Sequence, residues 1–287
     1  MLTAGHCTES AAIDDYRILV GGRVYRITAL ITHPLYDMSA TARASAPYDV
    51  GVIQLDGTPS ITPLPVFIDR RVIRGTELTI AGYGTHESSA EALEPEDLAR
   101  IGRSVVDSVS RDGVLLQEHA GGRASTCPGD SGGPAILRDS GYSGVVGTLS
   151  IGTNQATSDN CELVAGGLFG HVYLQSATVR QFLSSFPDIQ YISGFRIFIE
   201  TAARGSVTTL RRTSRTSSIS ALRNSTRNVI SSVSKAREYA DGVRFDLLSQ
   251  ALAELRSAMR SKRLAQAKPR IGAARKRLDE VVALGVY

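Results

Sequence analysis

The sequence predicts an all-β body followed by an α-helical C-terminal extension. Short β-rich segments punctuated by turn residues run to about Val172, helical apolar periodicity takes over beyond residue 240, and the charge balance changes sign between the two regions. The predicted strands include Tyr16–Val20, Arg23–Ile31, Val50–Leu55, Leu78–Ala81 and Gly144–Ile151, separated by clusters of Gly, Pro, Asp and Ser. Such spacing suits an antiparallel barrel or sandwich. Long helices do not alternate with these strands, which disfavours a doubly wound α/β hydrolase, since that fold needs repeated helical crossovers.

A helix is expected within Leu174–Phe186, where Val179, Phe182, Leu183 and Phe186 recur at three- and four-residue spacing and close the body. From Thr208 to about Ser234 the chain is rich in Ser, Thr and Arg and poor in large apolar residues, and it reads as linker or weak helix. Beyond it, Val243, Leu247, Leu248, Ala251, Leu252, Leu255 and Met259 form one amphipathic face, and Ile271, Ala274, Leu278, Val281 and Val282 form another. Pro269 with Gly272 marks the expected break of a helical hairpin. The expected domains are 1–190, a linker or weakly helical segment 191–235, and a basic helical hairpin 236–287.

Composition narrows the function classes. Hydrophobic residues make up 42% and charged residues 21% of the 287, the balance of a globular chain, and no run approaches a membrane-spanning length of about 18 apolar residues. Residues 1–200 carry 14 Arg, no Lys and 22 acids, whereas 201–287 carry 18 basic residues and 6 acids. A basic tail on an acidic body points to a separate module and to an anionic surface or polymer as its partner. Three cysteines, Cys7, Cys127 and Cys161, leave one without a mate in the chain, and none has metal-ligand spacing. No cofactor or metal is implied.

A serine hydroxyl becomes a useful nucleophile when an imidazole takes its proton and a carboxylate holds that imidazole in place. Three segments supply these groups in order: Leu2-Thr3-Ala4-Gly5-His6-Cys7, Tyr48-Asp49-Val50-Gly51-Val52-Ile53, and Thr126-Cys127-Pro128-Gly129-Asp130-Ser131-Gly132-Gly133-Pro134. In the last, glycines around Ser131 permit a tight turn whose Gly129 and Ser131 amides converge on one point. Together with Thr32-His33-Pro34 and Ile80-Ala81-Gly82-Tyr83-Gly84, these motifs resemble the chymotrypsin and trypsin family of serine proteases from Met1 to about Phe186.

The resemblance implies two antiparallel six-stranded β-barrels and peptide-bond hydrolysis through an acyl-enzyme. It implies catalytic roles for Ser131 (nucleophile), His6 (base) and Asp49 (orienter), with Gly129 and Ser131 as the oxyanion hole. It further implies a specificity pocket floored by Ser125 between Gly152 and Gly167, favouring aromatic or large apolar side chains before the cut. Ser150, Ile151 and Gly152 would pair with extended substrate, a Cys127–Cys161 disulfide would flank the pocket, and the protein would be secreted. His33, His86, His119 and His171 are expected in ordinary surface or core roles.

The chain departs from the family at its start, since relatives begin some 30 to 40 residues before the histidine motif. The first barrel is therefore expected to be incomplete, Cys7 to lack its partner, and Asp130 to lack the amino-terminal ammonium that many members supply. Met1 reads as a misassigned start, and no signal peptide opens the chain. The alternative is an inactive protease-like scaffold whose basic tail docks on an anionic surface.

Overall fold

The computed structural model describes residues 1–9, 11–84, 99–119, 121–152 and 167–286. They form two compact units, one of Met1–Arg138 with Ser143–Tyr191, the other of Asp139–Tyr142 with Ile192–Tyr287.

The first unit is strand-rich. Strands β2 (Ile18–Val20) and β3 (Arg23–Tyr25) form a hairpin whose two-residue turn, Gly21-Gly22, has φ of 58° and 78°. That left-handed pair matches the twist of the flanking strands and is open to glycine at little cost. The chain then passes into β4 (Ile27–Thr32), so the single strand expected over Arg23–Ile31 is two, interrupted at Arg26 where pairing switches from β2 to β5 (Gly51–Leu55). Strand β1 (Leu2–Thr3) pairs with the other edge of β5, giving the sheet order β1-β5-β4. Ile18, Tyr25, Ile27 and Ile53 fill the space between hairpin and sheet.

A larger sheet follows, built from β6 (Val66–Ile68), β7 (Glu77–Gly82), β8 (Arg100–Val105), β9 (Ser108–Val109), β10 (Val114–Glu118), β11 (Pro134–Asp139), β12 (Tyr142–Gly152) and β13 (Leu168–Tyr173). Its main path runs β8-β7-β11-β12-β13-β10-β9, with β6 parallel to β12. The sheet curls until β10 comes back against β8. Helix α1 (Ala42–Ser45) and a 3-10 turn over Ala46–Tyr48 lead into β5, and α2 (Ala177–Leu183) lies within the expected Leu174–Phe186. Val50, Val52, Val66, Val145, Val172, Leu174, Val179 and Leu183 form one core that locks the small sheet, the large sheet and α2 together. The β-rich body and helical C-terminal region are as the sequence predicts.

The second unit departs from expectation. The segment 191–235, read as linker or weak helix, is occupied by α3 (Gly194–Thr213) and most of α4 (Ile219–Glu238), which join α5 (Gly242–Arg260) and α6 (Leu264–Ala283) around one core. After Ile197 and Ile199, the core positions of α3 and α4 mix small and large residues: Ala203, Val207 and Leu210, then Leu222, Thr226, Val229, Val233 and Ala236. Their helical spacing is regular, yet Ala and Thr weigh little in an apolar count. The threonines cost little because their hydroxyls turn back on the helix, Thr226 donating to Leu222 O at 2.7 Å and Thr213 to Thr209 O at 2.9 Å. Ser193 and Ser218 cap the two N-termini by accepting from Arg196 N and Ala221 N. Nor is Pro269 the break. It sits exposed inside α6, and the α5–α6 turn is Ser261–Arg263.

Leu255 is fully buried in this core, so Leu255→Ala removes its contacts and leaves a void. The expected loss is about 3 kcal/mol of unfolding free energy in urea titrations followed by helical circular dichroism. A loss below about 1 kcal/mol would show that α5 does not pack as described.

Candidate active site

Asp49 follows the 3-10 turn Ala46–Tyr48 and precedes β5, a position that directs its side chain into the unit's interior, where it is 3% exposed. A carboxylate so placed needs donors. It has three: His6 N gives to Oδ1 at 2.7 Å, while the His6 ring holds Oδ2 through Nδ1 at 2.8 Å and Ser150 Oγ gives to the same oxygen at 2.7 Å. His6 lies in a turn after β1, closed by Thr8 N donating to Gly5 O at 2.8 Å.

The two-point contact with one carboxylate fixes both the backbone and the ring of His6. With Nδ1 facing Asp49, Nε2 is the nitrogen left for another proton partner. The hydrogen bond to Asp49, and secondarily the Cys7 thiol, hold the imidazole well above its ordinary pKa against the opposing effect of burial.

Ser150 owes its place to an irregularity. In the β12–β13 ladder Leu149 faces His171 and Ile151 faces Gly170, which leaves Ser150 as the extra residue of a bulge. A bulge of this kind re-aims one side chain without breaking the strand. The hydroxyl meets Asp49 as a result.

The Ser131 turn is positioned from two sides. Gly132 N donates to Leu149 O at 2.9 Å, beside Ser150, and Gly132 packs so tightly on β1 that a Cβ there would lie 2.3 Å from Thr3 Oγ1 and 2.9 Å from Ala4 N. Its φ of 78° adds a second demand for glycine. Ser131 itself is exposed, and its hydroxyl makes no hydrogen bond among the described residues. Asp130, Gly132 and Gly133 spend their amides on Cys127 O, Leu149 O and Asp130 O, whereas those of Gly129 and Ser131 donate to no acceptor among the described residues.

Asp130 does not lack partners, contrary to expectation. Gly84 N donates to Oδ1 at 2.7 Å and Cys127 N to Oδ2 at 2.8 Å, so main-chain amides do the work expected of an ammonium group. The fit is close: a Cβ on Gly82 or Gly84 would come within 2.0 or 2.5 Å of the Asp130 carboxylate.

Ser125 is half-buried, and its hydroxyl is hydrogen-bonded to Nδ1 of the buried His119. It lines a cavity of about 300 Å³ with Thr126, Cys127, Asp130, Leu149 and residues of β7 and β8. Gly152, at the exposed end of β12, and Gly167, whose carbonyl accepts from His119 N at 2.8 Å, do not line it. Ile151 is paired with Gly170. Cys161 and His86 lie outside the described residues, as does any pairing of Cys161 with Cys127. Cys7 is a free thiol. His33, His119 and His171 are all buried, His33 against the rings of Tyr48 and Phe182.

Two roles escaped the sequence. Ser150 was read as a backbone contact for substrate, but its side chain serves Asp49, and a bulge leaves no signature in residue type. Gly84 falls in a recognised motif, yet its service to Asp130, 46 positions away, emerges only in three dimensions.

The His6 imidazole is expected to titrate above the ordinary value of about 6.5, and Asn at position 49 should lower its pKa by at least about one unit, because the neutral amide no longer favours the imidazolium. NMR titration of the ring protons measures both. A midpoint at or below the ordinary value in the native protein would rule out the contact described.

The family model described as trypsin matches residues 1–166 of this chain. Among curated relatives, trypsin eta of Drosophila melanogaster is 25% identical over 154 residues, covering 47% of this chain and 58% of that protein. Trypsin 5G1 of Aedes aegypti is 26% identical over 171 residues, covering 51% and 60%. Mannan-binding lectin serine protease 1 of Mus musculus is 24% identical over 219 residues, covering 60% and 29%. The chain thus spans less than two thirds of each relative's length, and β13 and helices α2 to α6 fall beyond the family match. With a match over more than half its residues, the chain belongs to the trypsin family.

Proposed function

We propose that this protein is a serine endopeptidase that cleaves protein substrates through an acyl-enzyme. The observation that carries the reading is the clamp on His6: a buried carboxylate grips its backbone and Nδ1 together, leaving Nε2 as the base. In this reading Ser131 attacks the scissile carbonyl while His6 takes the hydroxyl proton. Asp49 stabilises the imidazolium that forms, and His6 then passes the proton to the departing amine. The amides of Gly129 and Ser131, uncommitted among the described residues, receive the developing oxyanion. Water then attacks the ester carbonyl, and His6 serves again as base.

Substrate recognition in this reading uses the β12 end. Ser150, Ile151 and Gly152 offer their backbone to an extended peptide, and the cavity that Ser125 lines takes aromatic or large apolar residues against Ile80, Ala81 and Leu149. A Cys127–Cys161 bridge stiffens that pocket, the body forms two antiparallel barrels of which the first is incomplete, and the protein acts outside the cell. The alternative is an inactive scaffold, favoured by the exposed Ser131 hydroxyl, which makes no hydrogen bond among the described residues.

A fluorophosphonate separates the two. The intact chain is expected to be labelled at Ser131, with labelling abolished by Ser131→Ala and reduced by about 10²-fold or more in His6→Ala. Only neutral imidazole can accept the proton, and Asp49 raises its pKa, so the labelling rate should climb with pH to a midpoint above about 6.5. No labelling at any pH would favour the scaffold. Ser150→Ala should slow labelling by about tenfold, since one of three donors to Asp49 is lost. An unchanged rate would mean that Ser150 has no part in holding the pair.

A further inference from the structure

The basic residues of the helical unit are segregated. The stretches 201–237 and 255–278 hold no acid at all, and the six acids of the region are Glu238, Asp241, Asp246, Glu254, Asp279 and Glu280. Folding turns this linear pattern into a spatial one. Arg223, in the first turns of α4, donates to Ser261 O at 2.8 Å, which draws the α3–α4 turn and the α5–α6 turn to one end of the unit. Arg244 donates to Leu284 O and Gly285 O, so the α4–α5 turn, with Glu238, Asp241 and Asp246, meets the end of α6 elsewhere.

At the first end Arg212, Arg215, Arg256, Arg260, Lys262 and Arg263 are exposed and make no side-chain hydrogen bond or ion pair with any described residue. Their neighbours are engaged: Arg211 reaches Asp279 at 3.9 Å, Arg270 reaches Glu254 at 3.1 Å, and Arg223 holds Ser261. Like charges gathered within a Debye length of about 8 Å repel, and a bound polyanion relieves that repulsion by releasing its own counterions.

We propose that this basic end is a docking surface for a sulfated polysaccharide. Guanidinium forks match the oxygens of sulfate groups in two-point hydrogen bonds, and five of the six uncommitted cations are arginines. The remaining surface discriminates among polyanions. Among the described residues, every exposed large apolar side chain of the helical unit, namely Phe195, Phe198, Tyr239, Val243, Phe245 and Leu284, belongs to the starts of α3 and α5 or the ends of α4 and α6. Phe195 and Tyr239 stack at 5.2 Å there. Among the described residues the basic end therefore has no exposed aromatic platform for single-stranded bases and no apolar wedge for a bilayer.

Titration of the full chain with heparin at about 0.1 M salt tests this. The triple variant Arg212→Gln, Arg215→Gln, Arg263→Gln should bind at least about tenfold more weakly, while a control with the same loss of charge on the strand-rich unit, Arg43→Gln, Arg74→Gln, Arg138→Gln, should stay within about twofold. All six positions are exposed, and circular dichroism verifies that both variants are folded. Equal weakening of the two variants, or full retention by the first, overturns the proposal. So does tighter binding to duplex DNA, or to phosphatidylserine vesicles, than to heparin at equal anionic charge.

Discussion

A carboxylate taken out of water must be surrounded by donors or it does not stay charged, and the strand-rich unit is organised around meeting that condition at Asp49. Its three donors come from the turn after β1 and from the bulge in β12, segments of two different sheets. Satisfying one anion therefore ties the sheets together at a defined point. The apolar core of Val50, Val52, Val66, Val145 and Val172 supplies cohesion over a wider area, but it has no comparable directional preference. Packing brings the sheets into contact, and the buried charge sets where the imidazole points.

The turn around Ser131 obeys a related rule with a second anion. Asp130 is held by two amides, one from the end of β7 and one from its own loop, and Gly132 is pressed onto β1. The conformation of this turn is thus set from three directions by main-chain groups. Side chains decide what the turn can do chemically; the backbone decides its shape.

Much of this was legible in advance, and unevenly so. β-rich composition and turn residues located β2, β5, β7 and β12 to within two residues, because Gly, Pro, Asp and Ser mark their ends, but merged β3 and β4 into one strand. His6 and Asp49 could be named because their motifs lie in short contiguous words. The α3–α4 region was misread because between Leu210 and Ala236 its buried stripe has one large apolar residue, Leu222, and is otherwise Val, Thr and Ala, whose packing value depends on neighbours that a window of sequence does not contain. Pro269 misled for a different reason: at an exposed position early in α6 it forfeits one amide bond, a cost the packed helix absorbs. The donors to Asp130 were invisible because backbone amides are the same at every residue.

The clearance around Asp130 has an evolutionary consequence. Positions 82 and 84 leave no room for even a methyl group beside that carboxylate, so drift at either glycine is blocked while the aspartate remains, and loss of the aspartate would strand Gly84's amide. Three sites spread over 49 positions of chain are therefore bound to change as a set or not at all. Homologues sampled at depth should keep or lose the trio together, a covariation imposed by steric exclusion instead of by shared chemistry.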